Sequence, residues 1–111
     1  MKRPMRGDIV VALAPGAYGK PRPAVVVQAD IANEIHSSIV VCLVTSLVVD
    51  APLYRITLPA SNSTGLQNES QIMVDKLVAL PVEKLKQIIG RVDDTTMVHV
   101  NRLLVMWLGL S

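Results

Sequence analysis

The chain has 111 residues, half of them hydrophobic and 18% charged, with a formal net charge of +2. That much apolar surface excludes a disordered body, the length allows one modest core, and the small net charge does not by itself call for a nucleic acid. With no Phe, one Trp and two Tyr, the core must be made of Val, Leu, Ile, Ala and Met, a composition that favours strands.

Asp8–Ala14 reads as a first strand closed by Pro15-Gly16, and residues 15–21 as a loop rich in Gly and Pro that carries Tyr18. Arg22 then stands between Pro21 and Pro23, ahead of a second apolar strand, Ala24–Gln28. Proline fixes its own φ and biases the residue before it to extended backbone, so Arg22 cannot lie inside a helix. A planar, always-charged fork of donors at the mouth of a strand has two readings. It is a surface residue that ends the strand, or it is a two-point ligand for a phosphate.

Residues 29–38 form an irregular connection with one helical turn around Asp30–Asn33. Ile39–Thr45 is a third, apolar strand ending on Thr45-Ser46; it contains the lone cysteine, Cys42, which reads as a small core hydrophobe. In Leu53–Leu58, Tyr54, Arg55 and Thr57 interrupt the apolar run and predict one wet face. Pro59–Glu69 is a polar loop, and Gln71–Asp75 and Leu77–Leu80 make a pair of extended segments. Val82–Gln87 is expected as a short helix with Pro81 at its first turn. The last element is a longer helix, with Asp93 or Asp94 as N-cap, Met97, Val100, Leu104 and Trp107 at helical spacing, and Gly109 as the stop. Short strands followed by a terminal helix predict a mostly β fold, a small curled antiparallel sheet or barrel with the helix packed on it, as one domain over residues 1–111.

Residues 1–28 hold Lys2, Arg3, Arg6, Lys20 and Arg22 against Asp8 alone, whereas the remainder holds six basic and eight acidic residues. A basic N-terminal segment suits a polyanion, although a solvated tail accounts for part of it. No Cys/His cluster has metal-ligand spacing, so neither a metal nor another cofactor is expected. The basic start lacks an apolar signal core, and the stretches Ile39–Val44 and Leu103–Leu108 are far short of the ~20 residues that span a bilayer. A cytoplasmic protein is expected. His36 falls in a loop from which it could approach a site, whereas His99 falls in the last helix, where nothing places a partner beside it and a structural or surface role is expected.

Five pieces in order and spacing carry a resemblance over essentially the whole chain. They are Arg6-Gly7-Asp8-Ile9, Gly19-Lys20-Pro21-Arg22-Pro23-Ala24-Val25-Val26-Val27-Gln28, Thr45-Ser46, Val74-Asp75-Lys76 and Gly90-Arg91-Val92-Asp93-Asp94. Together they resemble the MazF/PemK (Kid) toxins of type II toxin–antitoxin systems. The resemblance implies a barrel of the Src-homology-3 type and a homodimer. It also implies a metal-independent, sequence-specific endoribonuclease that cuts single-stranded RNA, held in check by the disordered acidic C-terminal segment of a cognate antitoxin.

By the same resemblance Arg22, Thr45 and Asp75 map onto functional positions. Cleavage without a metal needs a proton removed from a 2′-OH, a stabilised phosphorane and a proton for the leaving oxygen. Arg22 suits the second task and is a poor base, because it holds its proton above pH ~12. Thr45 can hydrogen-bond a phosphate oxygen or the 2′-OH, or merely satisfy backbone at a strand end. Asp75 can act as base or orient Arg22, or can be an acidic residue at a strand end. Which group is the general base stays open.

For RNA binding the candidates are Tyr18 as a stacking platform, Ser46 with the loop that follows it, the loop Ser61–Asn68, and Lys20 and Lys76 as charges. Two departures from the family stand out. Met73 occupies the place of a catalytic arginine of the Kid branch, and Val78 that of an arginine found in many members. A binding module without catalysis, or a gyrase inhibitor on the same fold like CcdB, are therefore the competing readings. The second would want a terminal Trp-Gly-Ile pattern, which Val105–Ser111 lacks.

Overall fold

In the computed structural model, which describes residues 2–14 and 20–110, six strands make one sheet. They are β1 (Asp8–Ala12), β2 (Arg22–Val26), β3 (Ser38–Thr45), β4 (Arg55–Leu58), β5 (Ser70–Pro81) and β6 (Leu85–Arg91). A one-turn helix, α1 (Asp30–Asn33), links β2 to β3, and a long one, α2 (Asp94–Trp107), follows β6. Neighbouring strands are antiparallel in the order β4-β5-β3-β2-β1-β6, which leaves β4 and β6 as open edges. The sheet curls enough to bring Met73 of β5 and Ile89 of β6 to one groove, yet it does not close into a barrel.

The strands form where β-branched residues can fill both faces of the sheet. Along β3, Ile39 and Val41 enter one apolar cluster with Val10, Ala24, Val26 and Leu80. Cys42 and Val44 point the other way, into a cluster with Ile9, Val25, Ile72 and Val74. Helix α2 roofs this second cluster through Met97 and Val100. Each fully buried Val, Ile or Leu contributes about 1.5–3 kcal/mol, so this two-sided filling is the main force holding the sheet.

Helix α2 starts and stops as its sequence predicts. The Asp93 carboxylate accepts from the Thr96 N–H at 2.7 Å, and Gly109 takes the left-handed φ of 69° that ends the helix. Its last turn lays Trp107 against Tyr54, ring centroids 5.4 Å apart. No helix among the described residues is long and apolar enough to cross a membrane.

Two expectations need correction. Val82–Gln87 is not a helix: only a single 3-10 turn forms at Val82–Lys84, and the chain continues as β6. Local helical propensity over six residues is marginal alone. Pairing with β1 outweighs it, with Leu85 opposite Ala12 and Ile88 opposite Val10. Second, Gln71–Asp75 and Leu77–Leu80 belong to one strand, β5. Its pairing with β3 slips in the middle, since Cys42 faces Leu77 while Val44 faces Ile72. Residues 73–76 therefore oppose Leu43 alone, a bulge that interrupts the β3–β5 ladder.

Candidate functional site

A groove of about 570 Å³ opens where the ends of β2 and β3 approach the start of β5. Antiparallel pairing of Ala24 with Leu43 brings the first residue of β2 and the last of β3 to the same end of the sheet. Arg22, between Pro21 and Pro23, and the pair Thr45-Ser46 all line this groove. Pro23, Leu43, Val44, Met73 and Ile89 give it an apolar floor, and the buried Ser70 also lines it. Arg22 is exposed, and the one ion pair among the described residues joins Arg91 to Asp8, so no carboxylate there neutralises Arg22. An uncompensated guanidinium over an apolar floor has the charge and the donors to hold an anion.

Thr45 is half-buried, and its hydroxyl oxygen accepts from the Leu47 N–H at 3.1 Å. One side of that oxygen is thus occupied by the turn of backbone that follows β3, while the hydroxyl proton can be donated elsewhere.

The polar loop between β4 and β5 supplies the opposite wall through Leu66, Gln67 and Asn68. It lies there because two glycines let backbone touch backbone. A Cβ on Gly90 would sit 2.2 Å from the Thr64 carbonyl carbon, and one on Gly65 would sit 2.2 Å from the Ile89 oxygen. Arg91 N–H donates to Ser63 O at 2.9 Å and closes the contact. Gly65 also needs its φ of 74°.

The remaining candidates fall elsewhere. Lys20 is exposed next to Pro21, so its charge stands at the groove's edge without lining it. Tyr18 lies outside the described residues. Asp75 and Lys76 sit in the β5 bulge and do not line the groove. Lys76 is exposed; Asp75 is half-buried, with Oδ1 buried and without a hydrogen-bond partner among the described residues. Met73, in the place of the family arginine, does reach the groove but brings no charge. Val78 packs at the margin of the apolar cluster around Val41.

Burial pushes the Cys42 thiol up to about 12, with the Arg6 charge opposing and the Asp75 carboxylate reinforcing the shift. It is inert at neutral pH, as a core residue should be. His36 is exposed and bonded locally to Ser38, and His99 is exposed on α2; neither lines the groove. Two residues with no role in the sequence reading, Arg55 and Gln71, hold the backbone after Thr45. A polar residue at the start of an apolar strand was the available signal for Gln71.

The comparisons with known proteins fit this geometry. Residues 5–108 match the family described as the PemK-like, MazF-like toxin of type II toxin–antitoxin systems. A probable endoribonuclease MazF of Mycolicibacterium smegmatis is 42% identical over 107 residues, covering 96% of this chain and 97% of that protein. Among solved structures, a MazE–MazF complex from Deinococcus radiodurans superposes with a TM-score of 0.82 at 22% identity over the full length of both chains. A mycobacterial endoribonuclease in complex with its cognate antitoxin gives 0.81 at 21% identity, covering 97% of each chain. At those identities the structures speak to the fold, and it is the family match and the mycobacterial relative that carry the assignment. The chain belongs to the PemK-like, MazF-like toxins of type II toxin–antitoxin systems.

Proposed function

We propose that residues 1–111 act as one toxin domain, a metal-independent endoribonuclease that cuts single-stranded RNA at a preferred sequence. The observation that carries this reading is the unpaired Arg22 facing the same groove as the Thr45 hydroxyl. The 2′-oxygen attacks phosphorus as its proton passes to water, and water returns a proton to the leaving oxygen. The bond to the 5′-oxygen breaks as that oxygen gains a proton, and the products are a 2′,3′-cyclic phosphate and a 5′-OH. Arg22 binds the non-bridging oxygens, whose charge grows in the transition state, and Thr45 donates to one of them. Ser46, Gln67 and Asn68 offer hydroxyl and amide groups to the edges of unpaired bases, and Lys20 adds charge at the rim. Asp75 and Lys76 have no part in this single-chain reading.

Cleavage should persist in EDTA and stop when the cut nucleotide carries a 2′-O-methyl group. A requirement for Mg²⁺, or normal cutting of the methylated RNA, overturns internal attack. Met73 favours one other reading, since it leaves Arg22 as the single cation lining the groove among the described residues. A protein that binds the RNA and never cuts it would be a binding module.

The partners follow from exposed apolar surface. Leu47 and Leu53 are 70% and 65% exposed, and Trp107, Leu108 and Leu110 lie open at the end of α2, joined to Leu53 through the Tyr54–Trp107 contact. A second copy covers this surface in a homodimer. A cytoplasmic antitoxin with an acidic, disordered tail competes with RNA for Arg22 and Lys20. Sedimentation of a monomer alone at micromolar concentration counts against the first statement. Simultaneous, independent binding of RNA and antitoxin tail counts against the second.

A further inference from the structure

We propose that Arg55 and Gln71 are positioning residues that fix the Thr45 hydroxyl for its bond to the scissile phosphate, an inference that rests on the groove reading above. Gln71 is the direct cross-strand partner of Thr45 and is only 4% exposed. Its Oε1 accepts from the Val49 N–H at 3.1 Å and from Arg55 Nη1 at 2.9 Å. Its Nε2 donates to Val49 O at 2.8 Å and to Thr57 Oγ1 at 3.2 Å. Four bonds exhaust the amide and fix its orientation.

Arg55 Nη1 also donates to Leu47 O at 2.9 Å, and the N–H of that same Leu47 donates to Thr45 Oγ1. The Leu47 residue is thus held at both of its backbone polar groups, by Arg55 on one side and by Thr45 on the other. A hydroxyl oxygen that accepts in a fixed direction has its own proton confined to the remaining directions.

Within the single chain the loop has no apolar anchor that would do this work. Leu47 is 70% exposed and Val48 and Val49 are each 41% exposed, so polar bonds set its course. Arg55 Nε is buried as well, so the guanidinium is held inside the clamp and not in solvent.

The test is a double-mutant cycle on the full-length toxin, read by single-turnover cleavage at saturating RNA. Arg55→Met keeps length and removes the donors. It should slow cleavage about 10-fold, with affinity for a 2′-O-methyl RNA analogue within about twofold. Added to Thr45→Ala it should cost less than about twofold more, because the hydroxyl it positions is gone. Should Arg55→Met fail to fold, Arg55→Lys replaces it in the same cycle, with a smaller loss and the same non-additivity. Full multiplication of the two losses, or an unchanged rate in both Arg55 variants, overturns the positioning role while the loss in Thr45→Ala upholds the groove. A silent Thr45→Ala overturns the groove reading and this inference with it.

Discussion

Strand β1 has an arginine opposite each of its ends, and the two have opposite fates. At its start Arg91 of β6 faces Asp8 and binds its carboxylate at 3.0 Å. At its end Arg22 of β2 faces Ala12, which offers no charge, and turns to the groove. Both side chains are long, cationic and exposed, so exposure does not separate them. The partner does. Arg91 spends its donors on a carboxylate of the fold, whereas those of Arg22 are left to the groove, which is what the proposed function uses.

The sharpest way to break that contrast is to remove each arginine and read both cleavage and stability. Arg22→Ala should lower cleavage on the order of 10²-fold, as loss of a transition-state donor does, with an unchanged melting temperature. Arg22→Lys should recover only part, since a point charge lacks the two-point fork. A loss of fold in Arg22→Ala would move this residue to the structural side of the comparison.

Gly90→Ala comes next, because it sits beside Arg91 yet supports the loop that walls the groove. A methyl group there meets Thr64 backbone, so the wall must shift, at about 1–3 kcal/mol of stability. Thermal unfolding should show the drop, and cleavage should fall with it. Unchanged melting and cleavage would mean that the loop yields without harm.

Arg91→Met should do much less. The pair it breaks is half in solvent, worth about 0–1 kcal/mol, and cleavage should stay as it was. A large activity loss here would erase the contrast between the two arginines.

The smallest effect belongs to Asp93, a charge whose partners lie within its own helix. Bonds from Thr96, hydroxyl first and then backbone N–H, hold its carboxyl below the usual range. A depressed folded value means that its contribution is full above the ordinary carboxylate range and is lost as pH falls through the depressed one. Asp93→Asn should flatten this acid limb in melts between pH 2 and 5, on the ordinary carboxylate scale of about 4, with cleavage at neutral pH unaffected. An acid limb identical in both proteins would show that other carboxylates govern it.

Much of this was legible in the chain itself. The apolar run of β3, the N-cap and stop of α2, and the Pro-Arg-Pro entry into β2 are local signals, and local physics decides them. β6 was not legible, because Val82–Gln87 has helical texture and becomes a strand only by pairing with β1 from the far end of the chain. The place of Asp75 was hidden for a related reason. A strand pattern gives facing residues by counting, and the β5 bulge breaks the count by three between Cys42 and Val44. Arg55 and Gln71 read as a wet strand face and a strand start. Their function depends on where the loop after Thr45 goes, which no spacing encodes.

The pairing of β1 with β6 has a consequence for the order in which a ribosome delivers the parts. Arg22 and Thr45 emerge early, but the wall that faces them rests on Ile89 and Gly90, and β1 keeps an open side until Leu85–Arg91 arrives. Contacts so far apart in sequence close late in folding. A nascent chain therefore carries Arg22 and Thr45 without a finished groove until nearly the whole of it has been made.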